Sequence, residues 1–237
     1  MEIITTLQTL LNNSFQTYEL EWLGTGGWTT GAGNAALEKE LCGSSLVMKW
    51  VDANKAAQSG PFCAAGNSFG SVQISYSLAV YNMSDTLDMV LLTAGPESRI
   101  DVSCFGTNDS SLQSSVWIGS QYASERKVFD IFMAWKNNGN YCSNGFAPEE
   151  IFKLAQDNSL TSPTEYRQYD YPNTKVNFIV SPEDPKLAYP QSQIYYNLIT
   201  SAKAYYTIAE PVHAVPETPD GYEKIRQLML DECKVQN

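Results

Sequence analysis

A serine set between two glycines is the feature of this sequence that most directly suggests chemistry. Residues 66–70 read Gly-Asn-Ser-Phe-Gly, which matches the pattern G-x-S-x-G with Ser68 at its centre. In that pattern the serine lies on a strained strand-to-helix turn that exposes its hydroxyl. Because glycine has no Cβ, we expect the two flanking glycines to leave the room that such a turn needs. The pattern predicts Ser68 as a nucleophile.

The chain contains a single histidine, His213. A serine hydroxyl is a weak nucleophile until a base takes its proton, and histidine is the usual base near neutral pH. If Ser68 is activated in this way, His213 must be the base. It follows an apolar run at residues 205–209 that is typical of a strand. We therefore expect His213 in a loop after that strand; an ordinary surface histidine is the alternative.

A carboxylate is needed to hold the imidazole in the right tautomer and to stabilise its charged form. Residues 175–180 (Lys-Val-Asn-Phe-Ile-Val) indicate a short buried strand, and Ser-Pro-Glu-Asp-Pro follows it directly. Asp184 in this turn is the predicted carboxylate. Glu183 and the more distant Asp170 are the competing candidates, and a solvated turn is the alternative reading of the segment.

An ester or amide carbonyl under attack also needs backbone N–H groups for its developing negative oxygen. One is expected from Phe69, which follows the serine. The other is expected from a glycine-rich loop at residues 24–31, directly after a predicted early strand. Within that loop we favour Thr25, with Gly26 as the alternative. The loop lacks the spacing of a phosphate-binding loop, because no G-K-[ST] follows.

Together these residues resemble the α/β-hydrolase-fold esterases and lipases, over roughly residues 17–233. Gly24-Thr25-Gly26 is similar to the oxyanion loop of lipases with a G-T-G turn. Gly26-Gly27-Trp28 is similar to the H-G-G-G-W loop of carboxylesterases but lacks its histidine, which leaves the donor open. Only the serine motif and the lone histidine are specific.

The resemblance implies a mostly parallel central sheet with helices on both faces. It implies a carboxylic-ester hydrolase that works through Ser68, His213 and Asp184 and an acyl-enzyme, with no metal or organic cofactor. A peptidase or an acyltransferase with the same residues is the nearest alternative. A non-catalytic binding protein on the same scaffold is the second alternative, and a structural or adhesive surface protein is the least favoured.

An alternating order of strands and helices predicts one α/β domain over residues 1–237. Apolar runs predict strands at about 17–23, 45–51, 61–66, 88–94, 175–180 and 203–209. Helices are predicted at 35–41, with Asn34 as N-cap, and at 222–233, with Ile225, Leu228 and Met229 on one face.

One segment conflicts with the fold. A helix must follow the serine at residues 71–81, yet Val72, Ile74 and Tyr76 alternate with polar residues, a period typical of a strand. We predict a helix because the turn requires one. Ser71, Ser75 and Ala79 would then form a face of small residues that packs closely on the sheet.

A long connection at residues 105–172 is predicted to be a cap insertion before the strand that leads to Asp184. Helices are expected within it at 128–135 and at 148–154. Their aromatic side chains would line a substrate pocket or simply pack the cap onto the core.

The composition narrows the possible partners. A net charge of −11 argues against nucleic acid, which requires a basic face. No apolar run reaches the length that crosses a membrane. The expected partner is a small-molecule or lipid-like ester, and the sequence leaves the oligomeric state open.

Five cysteines are present, and with a single histidine and no C-x-x-C pair they do not suggest a zinc site. Cys104 and Cys142 could form a disulfide. Three N-x-[ST] sites, at Asn12, Asn82 and Asn108, favour a secreted or periplasmic mature form over a cytoplasmic protein. The start of the chain has no basic segment of a signal peptide; a mature form with an added Met and a cytosolic protein would both begin this way.

Overall fold

A parallel sheet of four strands carries the residues singled out above. The structure is a computed structural model that describes residues 2–20, 37–55, 60–108, 110, 122–133, 139–162, 167–186 and 188–233. Within these residues the sheet has the order β1-β2-β3-β4. The strands are β1 (Cys63–Asn67), β2 (Met89–Thr93), β3 (Lys175–Val180) and β4 (Lys203–Thr207). They confirm four of the six predicted strands.

Helices precede, connect and follow these strands in the described part of the chain. They are α1 (Glu2–Asn12), α2 (Leu37–Asn54), α3 (Phe69–Ala79), α4 (Ile100–Phe105), α5 (Ala123–Phe132), α6 (Tyr141–Asn144), α7 (Glu149–Asn158), α8 (Ala188–Leu198) and α9 (Pro219–Glu232). None of the described helices is long and apolar enough to cross a membrane.

Helices cover both faces of the sheet, as predicted. Successive side chains of a strand point to opposite faces. On β3, the Phe178 ring packs against Tyr195 and Tyr196 of α8. Its neighbour Asn177 donates a hydrogen bond to Glu232 at the end of α9, 2.7 Å away. Helices α8 and α9 therefore lie on opposite faces of β3. All five residues of β2 are buried, as expected for a strand covered on both sides.

The helix after Ser68 is present despite the strand-like alternation of its sequence. Helix α3 is buried on nearly all sides, because it packs on the sheet and also against α2, where Ser45 and Ser77 share a hydrogen bond of 2.8 Å. A helix without a solvent-facing side has no need of a polar stripe. Ser71, Ser75 and Ala79 are fully buried, in agreement with the predicted face of small residues.

One predicted strand is wrong, and the described part of a second forms no strand. Residues 45–51 belong to α2, whose buried positions Leu37, Leu41, Ser44, Ser45, Met48 and Val51 follow the spacing of a helix. The apolar run misled because its small buried serines face the core, whereas Leu46 and Trp50 are exposed. Residues 17–20 form no strand, and the rest of that prediction, like Asn34, lies outside the described residues.

The connection from β2 to β3 carries four described helices, α4 to α7. Helix α5 corresponds to the helix predicted at 128–135, and α7 to the one predicted at 148–154. Helix α9 likewise matches the predicted C-terminal helix, with Ile225, Leu228 and Met229 buried. The bounds of a cap at 105–172 stay a prediction.

Two disulfides join distant parts of the chain. Cys104–Cys142 links α4 to α6, as the sequence suggested. Cys63–Cys233, which the sequence analysis did not pair, links the start of β1 to the end of α9 across 170 residues of sequence. Cys42 is not in a disulfide.

We expect the disulfide between β1 and α9 to contribute strongly to stability. A bond that closes so long a loop restricts the unfolded chain, so Cys63→Ser/Cys233→Ser should lower the free energy of unfolding by about 2–5 kcal/mol. Urea unfolding followed by circular dichroism measures this. Cys42→Ser is the control and should change little; an equal loss in the control would contradict the assignment.

Candidate active site

Ser68 lies at the turn between β1 and α3, as the sequence predicts. Its backbone has φ 55° and ψ −115°, a conformation that residues with a Cβ seldom adopt. Gly66 makes this turn possible: a Cβ there would lie 2.4 Å from the Gly70 carbonyl carbon. Gly70 differs from the expectation, because a Cβ at that position meets none of the described atoms within 4 Å. The space requirement therefore falls on Gly66 alone.

Hydrogen bonds to the neighbouring strand hold the turn in place. The Ser68 amide donates to the Thr93 carbonyl at the end of β2, 2.8 Å away. The Ser71 hydroxyl lies 2.7 Å from the Gly66 carbonyl and 2.8 Å from the Thr93 carbonyl. A buried hydroxyl bonded in this way ties the first turn of α3 to both strands. The strain at Ser68 is therefore supported by its surroundings.

His213 and Asp184 lie beside Ser68. The His213 Nε2 atom is 2.6 Å from the Ser68 Oγ, and its Nδ1 atom is 2.9 Å and 3.1 Å from the two Asp184 carboxylate oxygens. An ionised carboxylate can only accept hydrogen bonds, so the Nδ1–H donates to Asp184. The Nε2 atom then accepts a hydrogen bond from the Ser68 hydroxyl. The Asp184 side chain is fully buried, and that of His213 is 18% exposed. This is the arrangement that activates a serine hydroxyl.

The turn after β3 holds Asp184 in place, whereas the alternative acids Glu183 and Asp170 lie on the surface. The Asp184 carboxylate accepts a further hydrogen bond from the Lys186 amide at 2.7 Å. Glu183, one residue earlier, is exposed, as is Asp170. Of the three candidate acids, only Asp184 has a described contact with the histidine.

The predicted oxyanion donors are only partly described. Phe69 is the first residue of α3, where the helix dipole favours negative charge. Thr25, its alternative Gly26 and the rest of the glycine-rich loop lie outside the described residues. The oxyanion site therefore stays a prediction.

A cavity of about 170 Å³ opens beside Ser68 and His213. Much of its wall is apolar, with Phe69 and Val72 from α3, Val128 and Phe129 from α5, and Ala94 and Ala188. The α5 side chains place part of the long β2–β3 connection in the same cavity wall as Ser68. The same wall contains the polar residues Glu97, Ser124, Glu125 and Lys186.

An ion pair crosses one side of this cavity. The Lys186 Nζ lies 3.4 Å from a Glu125 carboxylate oxygen and so joins the loop after Asp184 to α5. Burial by itself would raise the pKa of Glu125, but the hydrogen bond from Ser124 and the charge of Lys186 hold this pKa below its ordinary value. The pair is therefore charged at neutral pH.

Glu97 is the residue of this wall that sequence reasoning missed. It lies in the loop that follows β2, at the same edge of the sheet as Ser68. Burial, with a smaller contribution from the charge of Asp184, raises its pKa to about 8, although a hydrogen bond from Ser103 opposes the shift. An acid directly after a predicted strand was a signal, but no motif marked it. Among the described residues, no cluster of His, Cys, Asp or Glu could hold a metal ion.

No family model and no curated protein matches this sequence. Several solved structures have a similar backbone arrangement. A carboxylesterase of the thaumarchaeon Nitrososphaera gargenis is 13% identical with a TM-score of 0.49, and the match covers 97% of this chain and 84% of that one. Mouse alpha/beta hydrolase domain-containing protein 10 is 12% identical with a TM-score of 0.46, over 83% and 69% of the two chains.

An acylaminoacyl peptidase of Pyrococcus horikoshii is 13% identical with a TM-score of 0.46. The match covers 85% of this chain but only 28% of the peptidase, so this chain spans little more than a quarter of that protein.

The order of elements defines the fold class. Ser68 follows β1 on a tight turn into α3, Asp184 follows β3, and His213 follows β4 in a sheet of parallel neighbours. The chain thus has the α/β-hydrolase fold.

We predict that the two glycines beside Ser68 respond differently to alanine. Gly66→Ala forces a Cβ onto backbone atoms and should cost about 1–3 kcal/mol of unfolding free energy or more. Gly70→Ala, placed in open space within a helix, should be neutral or slightly stabilising. Urea unfolding of the two variants tests this, and equal losses would show that the turn does not have the described geometry.

Proposed function

We propose that this protein hydrolyses carboxylic esters with Ser68 as nucleophile, His213 as base and Asp184 as the residue that orients the histidine. The observation that carries the proposal is the continuous line of contacts from the Ser68 Oγ through the imidazole to a buried carboxylate. Its position on a tight turn beside a cavity supports the same role, because the hydroxyl can reach a bound carbonyl.

In the first half of the proposed reaction, the Ser68 Oγ attacks the ester carbonyl carbon while its proton moves to the His213 Nε2. The imidazolium is stabilised by Asp184. The tetrahedral oxyanion is assigned to the backbone amides of Phe69 and Thr25. As this species collapses, the carbon–oxygen bond to the alcohol breaks, and Nε2 returns the proton to the departing oxygen.

In the second half, water enters the place left by the alcohol. It gives a proton to Nε2 and attacks the acyl carbon, after which the bond to the Ser68 Oγ breaks and that oxygen recovers the proton. The acid is released and the enzyme returns to its starting state. All protons pass through the histidine ring, so the scheme requires only the ester and water besides the residues of this chain.

The proposed substrate is a small-molecule or lipid-like ester whose acyl or alcohol part is short. The cavity has a volume of about 170 Å³, and the apolar part of its wall suits a short alkyl group. Ester cleavage is chosen over amide cleavage or acyl transfer by analogy of fold. A peptidase or acyltransferase would use the same three residues.

A binding protein on this scaffold is the second candidate. The observation against it is that the serine, the histidine and the acid are all in contact. A protein that only binds a ligand has no need for this arrangement or for the strained backbone at Ser68.

The proposal predicts large losses from single substitutions at the three residues. Hydrolysis of p-nitrophenyl acetate, butyrate and octanoate should fall by about a thousandfold or more in Ser68→Ala and His213→Ala. Asp184→Asn should also lose most activity, because the histidine would no longer be held in the required tautomer. Steady-state kinetics measure kcat/KM for each, and butyrate should be preferred over octanoate.

The matched control is Glu183→Gln, which neutralises the exposed acid next to Asp184 and should leave the rate unchanged. A fluorophosphonate probe should label the wild type at Ser68 and not label Ser68→Ala. An inert wild type that also escapes the probe would favour the binding protein. Equal activity of Ser68→Ala and wild type would refute the assignment of the nucleophile.

We also propose that the protein works in an oxidising compartment as a secreted or periplasmic protein. The two disulfides support this, because such bonds persist outside the reducing cytosol. Asn12, Asn82 and Asn108 are all exposed, where a glycan could be carried. Thiol titration of unreduced, denatured protein from its natural source should find one free thiol per chain, that of Cys42; five would contradict the proposal.

A further inference from the structure

One carboxyl group in the cavity has no part in the chain of contacts from Ser68 to Asp184. Glu97 is half-buried and lines the same cavity as Ser68 and His213. One of its oxygens accepts a hydrogen bond from the Ser103 hydroxyl. A carboxyl group in a partly buried cavity wall loses contact with water, at a cost that hydrogen bonds must offset.

A buried network fixes the position of Glu97. The Gln191 side chain on α8 accepts hydrogen bonds from the Ser98 and Arg99 amides at 3.0 Å and 2.9 Å. The same side chain donates to the Ser103 hydroxyl at 2.7 Å, and that hydroxyl donates to Glu97. The loop carrying Glu97 is thereby held to α4 and α8, so the carboxyl group has a defined place in the wall.

The charges around Glu97 favour its neutral form. Burial is the main reason that the pKa of Glu97 rises from 4.5 to about 8, and the nearby Asp184 charge adds to the effect. The charged or titratable groups around it are Glu125, Lys186, His213 and Asp184 in or beside the cavity, and Arg99 and Asp101 on its own side. Lys186 is bound to Glu125, and Arg99 to Asp101.

We propose that Glu97 is a substrate-contacting residue whose neutral carboxyl group hydrogen-bonds an uncharged polar group of the substrate, such as a hydroxyl or an amide. A protonated carboxyl both donates and accepts, so it can bind either kind of group. This proposal rests on the ester hydrolysis proposed above. It narrows the substrate to short esters that carry a second, neutral polar group.

A neutral partner fits the cavity better than a cation does. An ionised Glu97 would place a second negative charge near Asp184, and the one cation in the described wall, Lys186, is already beside Glu125. In its neutral form Glu97 adds no charge near the oxygen that becomes negative during attack. Ionisation of Glu97 would therefore oppose the reaction, and it would end any contact in which this carboxyl group is the donor.

The test compares esters that differ by one hydroxyl. Values of kcat/KM are measured for p-nitrophenyl 3-hydroxybutyrate against the butyrate, and for 2-hydroxyethyl butyrate against ethyl butyrate. The first pair differs in the acyl group and the second in the alcohol, so a hydroxyl contact is detected whichever of these two parts enters the cavity. At pH 6.5 the wild type should prefer the hydroxyl-bearing member of one pair by about three- to tenfold, as expected for one neutral hydrogen bond. Glu97→Leu should lose this preference and Glu97→Gln should keep it.

The pH dependence of the hydroxyl preference distinguishes a Glu97 that contacts the substrate from one that only supports the structure. In the wild type the preference should change as pH rises through about 8, because the carboxyl group of Glu97 then loses its proton and can only accept a hydrogen bond. In Glu97→Gln it should stay constant, since an amide does not ionise. Ser103→Ala removes the hydrogen bond that stabilises the charged form, so the change in preference should move to higher pH.

A measurement without turnover checks the charge of Glu97 independently. Its pKa is raised on folding from 4.5 to about 8, so between these values the folded protein holds a proton that the unfolded chain releases. The wild type should therefore lose stability relative to Glu97→Gln as pH rises through this range. Urea unfolding at several pH values measures the difference, and no change with pH would overturn the neutral carboxyl.

The possible failures are distinguishable. Wild type no faster than Ser68→Ala on every ester would refute the proposed hydrolysis and, with it, the substrate contact. Normal turnover with the same hydroxyl preference in wild type, Glu97→Gln and Glu97→Leu would overturn the contact alone. A preference for a trimethylammonium-bearing ester that Glu97→Gln abolishes would replace the neutral contact with a bound cation. Glu183→Gln serves as the control and should behave as the wild type throughout.

Discussion

The arrangement of the site depends on one close approach, that of Gly66 to the first turn of α3. A strand can turn into a helix over a single residue only if the two backbones nearly touch, and a Cβ at Gly66 would lie 2.4 Å from Gly70. Ser68 lies within this turn, where its backbone has the unusual φ of 55° and its hydroxyl reaches His213. The parallel strands then bring the loops with Asp184 and His213 to the same edge, because all their carboxyl ends lie there.

The residues that contact one another at Ser68, and the helix that follows it, could be predicted from the sequence because each is required by the chemistry or geometry of a serine motif. A serine nucleophile needs a base, and with one histidine in the chain His213 is the base predicted by elimination; the structure places it beside Ser68. Asp184 followed from its place after a predicted strand, and the structure brings it to His213. Helix α3 was predicted from the requirement of the turn, against its own pattern. That pattern was misleading because α2 covers the side of α3 that would otherwise face water.

Features that depend on tertiary contacts could not be read from the sequence. The apolar run at residues 45–51 predicts a strand because a sequence shows apolar residues but does not show that Ser45 packs against Ser77. The cystine between β1 and α9 joins residues that no local pattern relates. Glu97 has no motif, and its significance comes from what surrounds its carboxyl group. In each case the deciding information is which side chains meet, which a single sequence does not contain.

The disulfide between Cys63 and Cys233 makes most of the chain part of one covalent ring. Together with the backbone it closes a ring that contains the whole described sheet and all of Ser68, Asp184 and His213. Helices α1 and α2 lie outside this ring. A single proteolytic cut anywhere in the connection between β2 and β3 opens the ring without dividing the molecule. The nicked protein would stay one covalent species until a reductant separates it into two pieces.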